Sequence, residues 1–133
     1  MTNLTIRVDF DSGESLGPGK VRLLEAVAET GSIRKAARLC GMSFRQAWLL
    51  LKAVEDMFGA SLTETLRGGV RGGGTRLTPA GTLIVRGYRN LERAAEQAAE
   101  IEMAALTANL RGAPIAGEST ARKRRLVRKS LRK

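Results

Sequence analysis

Between Ser32 and Lys52 the chain places small, apolar and turn-forming residues at spacings that leave few ways to fold. Two short helices cross closely only where side chains are small, and Ala36 and Ala37 provide that approach. The sharp turn between them wants a residue that accepts positive φ, which Gly41 supplies. The first helix is therefore expected to end near Cys40. Ser43, with Gln46 three residues on, has the capping-box spacing that satisfies the free N–H groups of a second helix. The stretch predicts a helix-turn-helix.

Around this centre the pattern changes several times. Leu4, Ile6, Val8 and Phe10 alternate with Thr5, Arg7 and Asp9, which predicts a strand over Leu4–Phe10 with one buried face. Gly13 to Gly19 reads as a turn region. Pro18 then suits a first helical turn, Val21, Leu24, Val27 and Ala28 form an apolar stripe, and Gly31 closes that helix. Beyond Phe58 and Gly59, the strand-like flanks of Leu62 to Leu77 enclose Gly68 to Gly74, a hairpin with a flexible basic tip. Thr78-Pro79 starts the longest helix, Pro79 to Leu106. Its apolar residues Ile84, Tyr88, Leu91, Ala95, Ala98, Ile101 and Ala105 recur at spacings of three and four, which suits packing against another helix.

At 133 residues with 43% hydrophobic content, the chain can bury one modest core. Lys and Arg number 23 against 13 acidic residues, a formal net charge of +10 that favours a polyanionic partner. Eight of those cations lie between Arg122 and Lys133 with no acid among them, leaving +2 for the first 121 residues. That run is read either as a nucleic-acid arm or as a disordered solubilising tail. No apolar run approaches the roughly 20 residues of a membrane span, and the N-terminus lacks the basic and apolar regions of a signal peptide, so a cytoplasmic, nucleoid-associated protein is expected. One cysteine and no histidine exclude an internal disulfide, the usual zinc sites and histidine-based catalysis. No catalytic residue, metal site or cofactor is assigned, and no enzyme activity is expected.

On a helical wheel Ala47, Leu50, Leu51, Val54 and Phe58 cluster on one side of the second motif helix, with Arg45, Leu49, Lys52 and Asp56 opposite. The N-terminal residues of such a helix reach base edges in a DNA groove, which makes Arg45 and Gln46 the candidate readers, Arg for guanine and Gln for adenine. Ser43 and neighbouring N–H groups can hold a phosphate, and Lys52 can contact a second one. The alternative is that Ser43 is only a cap and that Arg45 and Lys52 are ordinary solvated charges. Ser32, Arg34, Lys35 and Phe44 complete the candidate set on the motif, and Arg67, Arg71 and Arg76 join it from the hairpin, where glycines let backbone approach DNA. The glycine-rich tip also admits a phosphate-loop reading, which fails because no Gly-Lys-Ser/Thr follows. Trp48, at the flank of the helix, is read as a core or interface anchor ahead of a DNA-facing aromatic. Cys40 and Met42 are read as small apolar packers.

Leu23-Leu24-Glu25-Ala26, Gly31-Ser32-Ile33, Ala36-Ala37, Gly41-Met42-Ser43, Ala47-Trp48, the glycine-rich segment and Leu77-Thr78-Pro79-Ala80-Gly81 occur in one order. Together, from about Lys20 to Leu91, they resemble the N-terminal winged-helix domain of ModE-type molybdate-responsive regulators, itself similar to the DNA-binding domain of LysR-type regulators. The resemblance implies a dimer formed through helices, and Ile84, Tyr88, Leu91, Ala95, Ala98 and Ile101 are the residues this chain offers for it. ModE-type regulators continue into molybdate-binding domains for which these 133 residues leave no room, so no small-molecule effector is expected. The fold expected is mainly α with a small β component: a winged helix-turn-helix over 1–78, a dimerisation helix over 79–110 and a basic, disordered tail over 111–133. The function expected is a dimeric, sequence-specific regulator binding double-stranded DNA. The alternatives are a nonspecific architectural nucleic-acid binder and an interaction module that pairs with a full-length ModE-like regulator.

Overall fold

The structure is a computed structural model that describes residues 3–67 and 73–112. Its elements run β1 (Val8–Asp9), β2 (Ser15–Leu16), α1 (Pro18–Thr30), α2 (Ile33–Leu39), α3 (Phe44–Phe58), β3 (Thr63–Leu66), β4 (Gly74–Leu77) and α4 (Pro79–Thr107), then a π-helical turn over Ala108–Gly112. The described residues fall into two units, Leu4–Ala94 and one that includes Ala95–Gly112. The first half of α4 thus belongs to the same unit as the three shorter helices.

In that first unit α1 lies against α2, α3 and β4. Its buried set is Val21, Leu23, Leu24, Ala26 and Val27, broader than the expected stripe, while Ala28 is exposed. A helix covered from three directions buries more than one narrow face. Gly31 ends α1 at φ 69°, its N–H bonded to the Val27 carbonyl, which is the left-handed cap that glycine adopts without strain. Gly31 then reaches across: its carbonyl accepts from the Thr75 N–H at 2.8 Å, fixing β4 to the corner between α1 and α2.

The strand expected over Leu4–Phe10 is a correction. Burial does alternate along it, yet only Val8 and Asp9 pair, antiparallel, with Leu16 and Ser15. The second of these strands lies inside what the sequence suggested was all turn. Pairing ends where the register would set Ile6 opposite Pro18, which has no N–H and begins α1; the Ile6 carbonyl accepts instead from the Tyr88 hydroxyl at 2.7 Å. Phe10 turns the chain, with Phe10 N–H bonded to the Glu14 carbonyl and Gly13 at φ 92°.

The hairpin forms with Thr63 opposite Leu77, Glu64 opposite Arg76, Thr65 opposite Thr75 and Leu66 opposite Gly74. Of the expected tip, Gly68 to Gly74, residues 68–72 lie outside the described residues, as does the terminal basic run, while Gly74 belongs to β4 and pairs with Leu66. The long helix spans Pro79–Thr107 against an expected Pro79–Leu106. It is anchored at its start: the Thr78 N–H bonds the Leu62 carbonyl at 2.9 Å, and the Thr78 hydroxyl accepts from the Gly81 N–H at 3.2 Å. Further on, Arg89 holds both carboxylate oxygens of Glu25 on α1, at 2.6 and 3.0 Å, and also bonds Glu92. Among the described residues no helix is long and apolar enough to cross a membrane.

Candidate nucleic-acid interface

The helix-turn-helix forms as its residues require. Ala36 and Ala37 are buried where α2 meets its neighbours. Gly41 takes φ 69° in the turn, a conformation costly for residues with a Cβ. The Met42 N–H bonds back to the Ala37 carbonyl at 3.0 Å, which closes the corner. Ser43 then caps α3, its hydroxyl oxygen accepting from the Gln46 N–H at 3.1 Å, an interaction worth about 1 kcal/mol. The Ser43 O–H itself remains available as a donor.

On α3, Ala47, Leu51 and Val54 are buried and Leu50 is half-buried, while Arg45, Leu49, Lys52 and Asp56 are exposed, as the wheel predicts. Two residues depart from expectation. Phe58, placed on the core side, is 41% exposed: it meets Phe10 edge to face with ring centres 5.6 Å apart and lines an open apolar groove with Leu16, Tyr88 and Leu91. Trp48, expected to anchor core or interface, is 50% exposed in the single chain, which corrects the core reading and leaves its indole open to an interface. Its position at the edge of the buried stripe leaves half the indole outside once Ala47 and Leu51 have filled the interior.

The other site residues gather in two places. Ser32 caps α2 by accepting from the Lys35 N–H at 3.1 Å, and Arg34 and Lys35 are exposed on its first turn. The Arg34 guanidinium carbon lies 4.9 Å from the centre of the Phe44 ring, so the starts of α2 and α3 are joined. Exposed Gln46 follows Arg45. On the hairpin, Arg67 and Arg76 are exposed, but Arg76 is already paired with Glu64 across the strands. Arg71 lies outside the described residues. The pairing of Arg76 was legible only from strand register, which a one-residue shift would have changed.

The residues expected on the dimer face divide as well. Tyr88 is spent inside the chain, 3% exposed and bonded to Ile6, so it has no surface to offer a partner. Ile84 is half-buried against the core, and Leu91 is exposed. In the second unit Ala95 is half-buried, while Ala98 and Ile101 are exposed.

Comparison with known proteins follows the same outline. A family described as "Bacterial regulatory helix-turn-helix protein, lysR family" matches residues 19–82. The "Molybdenum transport protein ModE" of Herbaspirillum seropedicae is 46% identical over 71 residues, 53% of this chain and 26% of that protein. The "Transcriptional regulator ModE" of Haemophilus influenzae is 33% identical over 100 residues, 75% of this chain and 39% of that protein. The chain thus spans about a quarter to two-fifths of these relatives' length. Among solved structures, the "CbnR_DBD-DNA complex" superposes with a TM-score of 0.50 at 26% identity, covering 65% of this chain and 94% of that one. Residues 19–82 of this chain are a LysR-type helix-turn-helix domain with the winged-helix fold, and its homology extends to the ModE regulators at 30–46% identity.

Proposed function

We propose that this chain is a homodimeric transcription regulator that binds double-stranded DNA in a sequence-specific way. The observation that carries the reading is the outward edge of α3, where Arg45 and Lys52 stand opposite the buried stripe of Ala47, Leu51 and Val54. Its support is the likeness of the domain to one crystallised with DNA.

In this reading α3 enters the major groove. Arg45 and Gln46 meet base edges, with Arg suited to guanine and Gln to adenine. Ser43, Arg34, Lys35 and Lys52 contact phosphates, which position the domain without carrying sequence information. Arg67 approaches the sugar-phosphate backbone from the hairpin, while Arg76 contributes less because Glu64 already neutralises it. Pairing occurs through α4, where Leu91, Ala98 and Ile101 expose apolar side chains, and a two-fold pair of reading helices calls for an operator with two related half-sites.

The test is the affinity for a selected duplex relative to a scrambled one of equal length, measured at several salt concentrations. The reading expects a ratio of about 10³ or more. Equal affinity for both would instead assign the chain to nonspecific, architectural binding.

A further inference from the structure

The edge of α3 that faces away from the core is not uniformly polar. Arg45, Leu49 and Lys52 follow one another along it at spacings of four and three, with Trp48 at its margin and Asp56 a turn beyond. Leu49 is 49% exposed. At 100° per residue it points roughly 165° from the mean direction of Ala47, Leu51 and Val54, about as far from the interior as a side chain can be. A single exposed leucine is ordinary. A leucine bracketed by two cations, on the face that meets DNA in the function proposed above, is a reagent of particular chemistry.

Every polar group on the major-groove floor is a hydrogen-bond donor or acceptor, and a leucine placed against one would strip its water without return. The C5 methyl of thymine is the one apolar group displayed there. We infer that Leu49 is a specificity residue that reads a thymine methyl, at a base pair one to two steps from the pair met by Arg45. The spacing follows from geometry: four residues of helix advance about 6 Å, against 3.4 Å per base pair. The inference rests on the DNA-binding reading, since the flanking Arg45 and Lys52 match a polyanion and not an apolar protein surface.

The experiment uses the full chain and its own selected duplex. Each thymine in turn is replaced by deoxyuridine, which removes only the methyl group, and affinities are measured for the wild type and for Leu49→Ala. One thymine per half-site is expected to be sensitive, with wild-type affinity falling about fourfold per methyl lost. Leu49→Ala should lose a similar factor on the unmodified duplex and then be indifferent to the uridine. A wild type that prefers its selected site yet ignores every uridine exchange overturns the assignment and leaves DNA recognition standing. So does a uridine effect of equal size in both proteins. A chain without any site preference overturns both. Leu49 is exposed, and matching melting temperatures of the two proteins check that the substitution acts at the interface.

Discussion

The guanidinium of Arg34 lies over the face of Phe44, 4.9 Å from the ring centre, and so couples the first turn of α2 to the first residue of α3. A cation held on an aromatic face is restrained in direction, and at exposed sites the contact contributes about 0.5–1 kcal/mol. Phe44→Ala should release Arg34 and weaken DNA binding about two- to fivefold if that restraint is what is lost. Because a phosphate contact carries no sequence information, selected and scrambled duplexes should lose the same factor in fluorescence-anisotropy titrations. A loss confined to the selected duplex would place Phe44 or Arg34 on a base instead.

Two glycines on α4 should respond in opposite directions. A Cβ at Gly81 would sit 2.5 Å from the Leu62 carbonyl oxygen and 3.4 Å from the Leu77 Cβ, whereas one at Gly87 meets nothing within 4 Å. Gly81→Ala must push against backbone that Thr78 already pins, so it should lower stability by about 1–3 kcal/mol. Gly87→Ala should raise it by up to about 1 kcal/mol through helix propensity alone. Urea midpoints of the two variants decide the matter.

The bidentate bond between Arg89 and Glu25 predicts a pH dependence. The Arg89 hydrogen bonds hold the Glu25 carboxyl below the usual glutamate range, with partial burial opposing them, and Arg89 itself is pushed further up by Glu25 and Glu92. A carboxyl depressed in the folded state stabilises above its unfolded pKa of about 4.3 and loses that contribution as pH falls through the folded value. Glu25→Gln should therefore lower the melting temperature at pH 7, by no more than about 1 kcal/mol of stability. It should also flatten the loss of stability on acidification below pH 4.3. An unchanged acid limb would show that the pair does not drive it.

Leu91→Glu places a charge on the exposed apolar face of α4 and should shift the protein toward monomer in sedimentation velocity at micromolar concentration. Leu91 is 43% exposed in the single chain, so the fold itself should survive. A variant that still sediments as a dimer would move the interface elsewhere on the chain.

What the residues revealed in advance was local. The α2–α3 corner depends on Ala36, Ala37, Gly41 and Ser43, all within a few residues of the contacts they make, so spacing alone located it. The N-terminal strand failed because its partner, Ser15–Leu16, runs almost at once into α1 at Pro18, and the Ile6 carbonyl finds its donor in Tyr88, 82 positions away in sequence. Alternating hydrophobicity identified which side chains turn inward, but not which backbone groups find a strand partner. Trp48 sits at the border of the buried stripe, where a wheel cannot say whether a ring goes in or out, and Phe58 lies on the axis of that stripe but is the last residue of α3, and a wheel does not say how far along a helix the core reaches. Neither the Arg89–Glu25 grip nor the pairing of Arg76 with Glu64 has a local signature, and both change which cations are free for a ligand.

The central claim is that the outward edge of α3 reads bases, and site selection from random duplexes with the wild type and Arg45→Ala side by side tests it most directly. The account predicts a two-fold-related consensus for the wild type and, for the variant, relaxed preference at one position in each half-site, at a cost of about 1–3 kcal/mol per lost contact. An identical consensus from both proteins would contradict it.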